Sequence, residues 1–538
     1  MNLSIFLIAF AAIVVTCVFL NKVSSKLGVP VLLLFILLGV LLGWTTEVNM
    51  QEADWANTLC SAALIFIMFY GGFGTNWKAA RPIAVEAGLL ATLGVFATAG
   101  LVGTFCHYAL SWSWQQSLLL GAVTSSTDAA SVFSILRTRR LGLRAGTAPL
   151  LEIESGSNDP CSYMSTMLMI AIIKGSATAG GVAWMLVAQF LFGILGGFVV
   201  FWAARWVLHR FSFSGGFDMM FLMAVAMLAY ALPDAVGGNG YLSVYITGIL
   251  LGNHNFQGRK PLVNFFDGVT TLMQILIFFI LGVMFHSEDF WRSLLPALCI
   301  FAFLTLLGRP LAVHAILLPF KRIKFYPAKQ RGFISFVGLR GAASIVFAIT
   351  ILTDETLQLC GIDCDLIFDT VFTLVLISIA LQGSLIPWAA KAFDMLDQNE
   401  DVMRTFSDFS DEADMTFTYI RVKEGDTWDG VAIKDLKLPL GLLIATVVRD
   451  GLRTVPSGDL VLQPQDLIVM CSRAYQGENY QLRQHTISEN SRWDGKAFKD
   501  YREHPGSIVL LLQREGETIV PNGNTIMHSR DVLTILEM

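Results

Sequence analysis

Charge is scarce in this chain: 15% of its 538 residues are Asp, Glu, Lys or Arg, against about 25% in an ordinary soluble protein. Hydrophobic residues fill the gap at 54% of the total, with a mean hydropathy of +0.60. A soluble core cannot absorb that much apolar surface, and a multispanning membrane protein is the reading that remains. Cysteine is scarce as well. Eight are scattered without a CxxC pair, which excludes a disulfide-scaffolded secreted domain and a zinc knuckle. The eight histidines, at 107, 209, 254, 286, 314, 485, 504 and 528, show no ligand spacing, so no resident metal is expected. Also missing are G-x-G-x-x-G after a strand, G-x-S-x-G and H-E-x-x-H. Without them the chain reads as a non-enzyme with no built-in cofactor.

What charge there is divides unevenly. Residues 1–391 hold 22 basic and 18 acidic side chains, a balance of +4, while residues 392–538 hold 15 against 24, a balance of −9. A mildly basic membrane part is followed by an acidic tail, the wrong sign for a nucleic-acid partner.

Thirteen apolar stretches recur along the first part, at about 3–20, 29–42, 56–70, 83–110, 117–136, 147–173, 181–208, 219–232, 241–251, 263–285, 294–318, 332–352 and 366–390. Most are long enough to cross a ~30 Å hydrocarbon layer. The first lacks a charged n-region and a small-residue cleavage site, so it is taken as a span and not a signal peptide. With thirteen spans, eighteen basic residues fall in one set of alternate loops and two, Lys174 and Arg292, in the other. This positive-inside asymmetry predicts an N-terminus outside and a C-terminus in the cytoplasm. The expected organisation is a transmembrane domain over 1–391, an acidic linker over 392–414, and a soluble tail of two modules, 415–473 and 474–538.

The tail is a tandem duplication. WDG at 428–430, RDG at 449–451, TVP at 454–456 and Asp466 return as WDG at 493–495, REG at 514–516, IVP at 519–521 and Asp531, every pair 65 residues apart. Each module reads as a small α+β unit: a strand, a short helix after WDG, then strands such as 442–448 and 466–471 between Asp-Gly turns.

Ionisable groups inside spans are costly, so each is a functional candidate. They are Asp128, Glu152, Glu154, Asp159, Asp267, Arg309 and Arg340. Asp128 lies twelve residues into span five, about 18 Å deep at 1.5 Å per residue, and Asp159 sits at similar depth in span six. On that helix Ser155 and Asp159 share one face, offering the hard oxygens that suit a small cation, and Glu154 and Asn158 share another that is free to hold structure. The hydroxyl run Thr124-Ser125-Ser126-Thr127 before Asp128 weakens helix, and Gly338 and Gly341 bracket Arg340 in span twelve. Two interrupted spans seven apart and oppositely directed fit an inverted repeat. Glu154 and Arg340 are expected to form a buried ion pair; Arg309 and Glu152 are expected to be structural. Cys360 and Cys364 are expected to be free thiols.

Three motifs resemble the monovalent cation:proton antiporters of the CPA1 class, and within it the bacterial NhaP-type potassium/proton antiporters with a C-terminal TrkA-C module. They are Thr127-Asp128-Ala129-Ala130-Ser131-Val132-Phe133, Glu154-Ser155-Gly156-Ser157-Asn158-Asp159-Pro160 and Gly338-Leu339-Arg340-Gly341-Ala342. The resemblance implies an NhaA-like, all-α fold with discontinuous crossing helices and a homodimer in the cell inner membrane. It implies an ion site of Thr127, Ser155 and Asp159 with Asp128 nearby, a Glu154–Arg340 pair, and an Asn158-Asp159 signature of electroneutral exchange. The substrates would be K+ or Na+ and H+, the surroundings lipid. The tail would be regulatory, taking a small ligand such as a nucleotide. One departure is Met68-Phe69-Tyr70-Gly71-Gly72, which lacks the acid that some sodium-transporting relatives carry before this glycine pair; it is read as weak support for potassium. The alternative is a ligand-gated cation channel, against which stands the lack of a TVGYG-like filter segment.

Overall fold

A computed structural model describes residues 11–537 apart from internal stretches, chiefly 25–29, 44–53, 212–215, 255–258, 286–289, 323–325, 398–414, 474–480 and 499–506, and scattered shorter gaps. Most of the expected acidic linker lies outside the described residues. The chain divides into two compact units, Met1–Asp411 and Glu412–Met538.

In the first unit the described residues form helices joined by short loops. They are α1 (Ala11–Leu20), α2 (Val31–Gly43), α3 (Asp54–Gly74), α4 (Arg81–Leu110), α5 (Trp114–Val123), α6 (Ala129–Thr138), α7 (Thr147–Ile173) and α8 (Ala179–Arg210). There follow α9 (Phe217–Asp234), α10 (Gly240–Gly252), α11 (Arg259–Val283), α12 (Phe290–Leu317), α13 (Ala328–Phe336), α14 (Ala342–Leu352) and α15 (Cys364–Ala392). Among the described residues seven helices are long and apolar enough to cross a membrane, lying in α3, α4, α8, α9, α11, α12 and α15, and α1, α2, α10 and α14 are shorter apolar helices. The unit is a polytopic helical membrane domain.

Local chemistry sets the helix starts. Ser113 accepts from the Gln116 N–H at 3.2 Å before α5, Asn239 from Leu242 at 3.0 Å before α10, and Asp363 from Leu366 at 3.0 Å before α15. Each side chain satisfies a backbone donor that the first turn leaves unpaired, which matters most where lipid offers no replacement. A two-residue ribbon, β1 (Gly142–Leu143) against β2 (Leu396–Asp397), ties the chain after α6 to the chain after α15. Two helices contain π-turns, Leu304–Gly308 in α12 and Ser378–Gly383 in α15. Cys360 is exposed, Cys364 opens α15, and both are free thiols.

The second unit holds two antiparallel sheets of the same topology. The first orders its strands β3 (Met415–Arg421), β6 (Leu467–Arg473), β4 (Leu442–Arg449) and β5 (Leu452–Thr454). The second orders them β7 (Gln481–Thr486), β10 (Val532–Glu537), β8 (Ser507–Arg514) and β9 (Glu517–Ile519). Even the irregularity is duplicated. The β4–β6 register slips at Ala445 and the β8–β10 register at Leu510, one 65-residue offset apart. After the first WDG the chain makes a single 3₁₀ turn, Ile433–Asp435, where sequence suggested a short helix.

Several of the repeated landmarks form one staple. In the first module Arg449 donates Nε to Asp466 Oδ1 at 2.8 Å, Nη2 to Oδ2 at 2.7 Å and Nη2 to the Val461 carbonyl at 2.8 Å. In the second, Arg514 makes the same bonds to Asp531 and the Ile526 carbonyl at 2.8, 2.7 and 2.8 Å. The Arg449 hydrogen bonds, with help from the Gln463 N–H, hold the Asp466 carboxyl below the ordinary aspartate range. For Asp531 burial pushes upward, but hydrogen bonds from Arg514 and the His528 N–H outweigh it and the carboxyl again lies low.

Candidate ion-binding site

Two helices are broken where the sequence weakens them. The chain leaves α5 at Val123, runs without helix through Ser126, Thr127 and Asp128, and resumes as α6 at Ala129; α13 ends at Phe336 and α14 begins at Ala342, with Gly338, Leu339, Arg340 and Gly341 non-helical between. The breaks touch: the Asp128 N–H donates to the Leu339 carbonyl at 2.8 Å. The approach is so close that a Cβ on Gly341 would stand 2.2 Å from Asp128 Oδ2, so only glycine fits there.

Each broken end is neutralised by a residue from the crossing pair. Arg340, 3% exposed, donates Nη1 to the Ser125 carbonyl at 3.1 Å and to the Ser126 carbonyl, where the C-terminal end of a half-helix concentrates negative potential. Asp128 does the converse. Its Oδ1 accepts from the Ser131 N–H at 3.1 Å and its Oδ2 from the Ser131 hydroxyl at 2.5 Å, capping α6. Beside Gly341 it also stands at the start of α14, so two helix N-termini converge on one carboxylate.

Helix α7 closes the site from the side. Ser155 Oγ donates to the Thr127 carbonyl and accepts from the Ala129 N–H, both at 2.8 Å, and Asn158 Nδ2 donates to Thr127 Oγ1 at 2.6 Å. The two Ser155 bonds pair backbone groups that the break leaves unsatisfied, and the Asn158 bond fixes the Thr127 side chain. Among the described residues Asn158 Oδ1 has no hydrogen-bond partner, although it is buried. Ser126, inside the hydroxyl run, donates to Asp159 Oδ1 at 2.6 Å. One residue on, Pro160 lacks an N–H, and its carbonyl accepts from Asn239 Nδ2 at 2.7 Å.

A cavity of about 280 Å³ opens on this arrangement, its wall including Tyr70, Asp128, Ser155, Asp159, Tyr245 and Asp267. Thr127 and Asn158 do not line it; they stand behind Ser155 and fix the break. The chemistry is that of a small hard cation's site, with carboxylate and hydroxyl oxygens facing a space large enough for an ion and several waters.

Two expectations change. The partner of Glu154 is Arg309, whose Nη2 donates to Glu154 Oε1, with side chains 4% and 1% exposed; Arg340 is occupied by the carbonyls of the first break. Spacing could not reveal this, since Arg309 and Arg340 both lie in distant spans and only the packing chooses between them. Second, Tyr70 Oη donates to Asp267 Oδ1 at 3.0 Å. A carboxylate therefore reaches the cavity from α11, and the missing acid in span three carries no argument about ion choice. Sequence reasoning also passed over Ser126 as a partner of Asp159, although it lies in the flagged hydroxyl run.

Broken helices crossing at a pair of half-buried aspartates that face one cavity, inside a bundle of apolar helices, define a secondary transporter. Residues 9–392 match the family "Sodium/hydrogen exchanger, transmembrane", and residues 417–474 and 482–536 match the TrkA-C domain. The chain belongs to the sodium/hydrogen exchanger family, the CPA1 class, and carries two TrkA-C domains. It is 33% identical over 473 residues to the "K(+)/H(+) antiporter NhaP2" of Shewanella sp. (strain ANA-3), covering 86% of this chain and 80% of that one. It is 36% identical over 371 residues to the "K(+)/H(+) antiporter NhaP" of Alkalimonas amylolytica, covering 67% and 62%. The structure of the sodium proton antiporter MjNhaP1 from Methanocaldococcus jannaschii at pH 8 superposes with a TM-score of 0.64 over 73% of this chain and 99% of that one, at 23% identity, a likeness of fold.

Proposed function

We propose that the chain exchanges a monovalent cation for a proton, by competition of the two for the Asp159 carboxylate. The observation that carries this is the pair of carboxylates, Asp128 and Asp159, in one cavity at crossed helix breaks, with unequal surroundings. Asp128 is committed to the N-terminus of α6 and packs at that of α14. Asp159 accepts from the Ser126 hydroxyl, a neutral donor that leaves its charge to be met by a proton or by a metal cation. Asn158 adds no second charge, so one cation for one proton, insensitive to voltage, is the simplest stoichiometry. Relatives named as K+/H+ and Na+/H+ antiporters support cation:proton exchange. The K+/H+ names of the bacterial relatives incline the reading to potassium.

The rest of the proposal rests on sequence. Thirteen crossings arise when α5–α6 and α13–α14 are each counted as one broken span, with an inverted repeat relating the two. Loop charge puts the N-terminus outside and the tail in the cytoplasm of a cell with the protein in its inner membrane, as a homodimer. The TrkA-C domains take a small ligand, with a nucleotide as the first to try, and bias the exchanger between its states.

The test uses purified protein in liposomes with a pH-sensitive dye, adding K+, Na+ or Li+ across a preset proton gradient, for wild type and Asp159→Asn. Cation-dependent proton movement that the variant lacks supports the reading and ranks the ions. Cation flux without proton movement by wild type sinks it in favour of a channel. Repeating the assay at imposed membrane potentials checks the stoichiometry: a rate that scales with voltage rejects one-for-one exchange.

A further inference from the structure

The second break leaves two backbone groups without helical partners, the Phe336 carbonyl at the end of α13 and the Arg340 N–H, and both are answered by one side-chain pair on α15. Gln382 Nε2 donates to the Phe336 carbonyl, Ser378 Oγ donates to Gln382 Oε1 at 3.0 Å, and the Arg340 N–H donates to Ser378 Oγ at 3.2 Å. Ser378 is 1% exposed and Gln382 4%, out of reach of bulk water, and both border a small internal cavity of about 10 Å³ together with Arg309 and Arg340. Both belong to the π-turn Ser378–Gly383, an irregularity that costs regular hydrogen bonding and tends to persist where a site needs it. The chain of contacts continues: the Arg340 guanidinium holds the Ser125 and Ser126 carbonyls, and the Ser126 hydroxyl meets Asp159.

We propose that Ser378 and Gln382 are positioning residues for the ion site, fixing Arg340 so that Ser126 is presented to Asp159. Neither lines the ion-site cavity. They act at one remove, by holding the second break in register with the first, and the π-turn is the device that faces both side chains toward the break. This rests on Asp159 being the exchanging carboxylate.

Ser378→Ala deletes the acceptor for the Arg340 N–H, Gln382→Met keeps bulk while deleting both hydrogen bonds, and Ser378→Thr keeps the hydroxyl. Leu381→Ala, in the same π-turn but 52% exposed, controls for disturbance of the helix. In the liposome assay, half-saturating cation concentration and maximal rate are measured across pH, alongside the thermal unfolding midpoint of each variant. Ser378→Ala and Gln382→Met are expected to raise half-saturation about tenfold, the scale of one lost hydrogen bond, and to shift the pH profile. Ser378→Thr and Leu381→Ala are expected to match wild type in both. Variants that melt earlier yet keep wild-type half-saturation and pH profile would reduce the pair to packing, and Ser378→Thr behaving like Ser378→Ala would discard the hydroxyl's role. If wild type moves no protons in response to any cation, the exchange reading fails and takes this one with it; a working wild type with unaltered variants fails this one alone.

Discussion

Both units are held by arginine–carboxylate pairs, and the contrast between them shows what surroundings do to the same chemistry. In the membrane unit Arg309 and Glu154 are 4% and 1% exposed, both out of reach of bulk solvent. In the tail Asp466 and Asp531 are as deeply buried, at 0% and 1%, but Arg449 and Arg514 stay about a third exposed, at 32% and 31%. The membrane pair is all or nothing, whereas the tail pairs keep one foot in solvent and can respond to it.

The contrast is sharpest where one partner is removed. Arg309→Ala or Glu154→Ala strands a buried charge and is expected to cost about 3–5 kcal/mol, with the double substitution milder than either single; thermal unfolding of the purified full chain reads the cycle. Singles that melt like wild type but transport nothing would move the pair from architecture to mechanism. Arg449→Ala and Arg514→Ala are expected to cost about 1.5–3 kcal/mol each, since charged hydrogen bonds are lost but the arginine site can hydrate. Because the two staples match in all three hydrogen-bond lengths, the two losses should agree, and hydrogen exchange of β4–β6 and β8–β10 in the full chain shows whether they do.

Acid separates the tail pairs by another route. The folded Asp466 and Asp531 lie below their unfolded range, so their contribution is complete above about pH 4 and drains away as pH falls through the folded values. Hydrogen exchange at falling pH should therefore loosen both sheets, and Asp466→Asn should flatten that response for the first sheet alone. The smallest effect is expected at Lys434–Asp459, 2.7 Å apart but 59% and 87% exposed. Lys434→Ala there should change stability by no more than about 0.5 kcal/mol, and a larger loss would undo the argument that exposure governs these pairs.

How much of this was legible beforehand depends on the reach of each signal. Local signals read well: the hydroxyl run at 124–127 and the glycines at 338 and 341 marked both breaks, 147–173 emerged with the bounds read from sequence, and the 65-residue offset foretold matching sheets. Asp128 and Asp159 stood out because charge in a span is rare. Pairing over long distances did not read. Arg309 and Arg340 are equally distant from Glu154 as far as spacing goes, and nothing in Tyr70 announces a hydrogen bond to Asp267 across 197 residues. The repeated arginines and aspartates, read from sequence only as marks of a duplication, are spent on the staple, because a repeat preserves whatever the fold needs.

Helix α7 adds a constraint on how the protein is made. At 27 residues it is long enough to cross a bilayer, yet with Glu152, Glu154 and Asp159 it is not among the helices apolar enough to do so on composition. The arginine that answers Glu154 lies 155 residues further along, which at ~5–20 residues per second emerges about 8–30 s later. During that interval α7 must borrow its hydrogen bonds from α5 and the first break, already synthesised, so the crossing seen in the finished site also serves as the scaffold on which a polar helix waits inside the membrane.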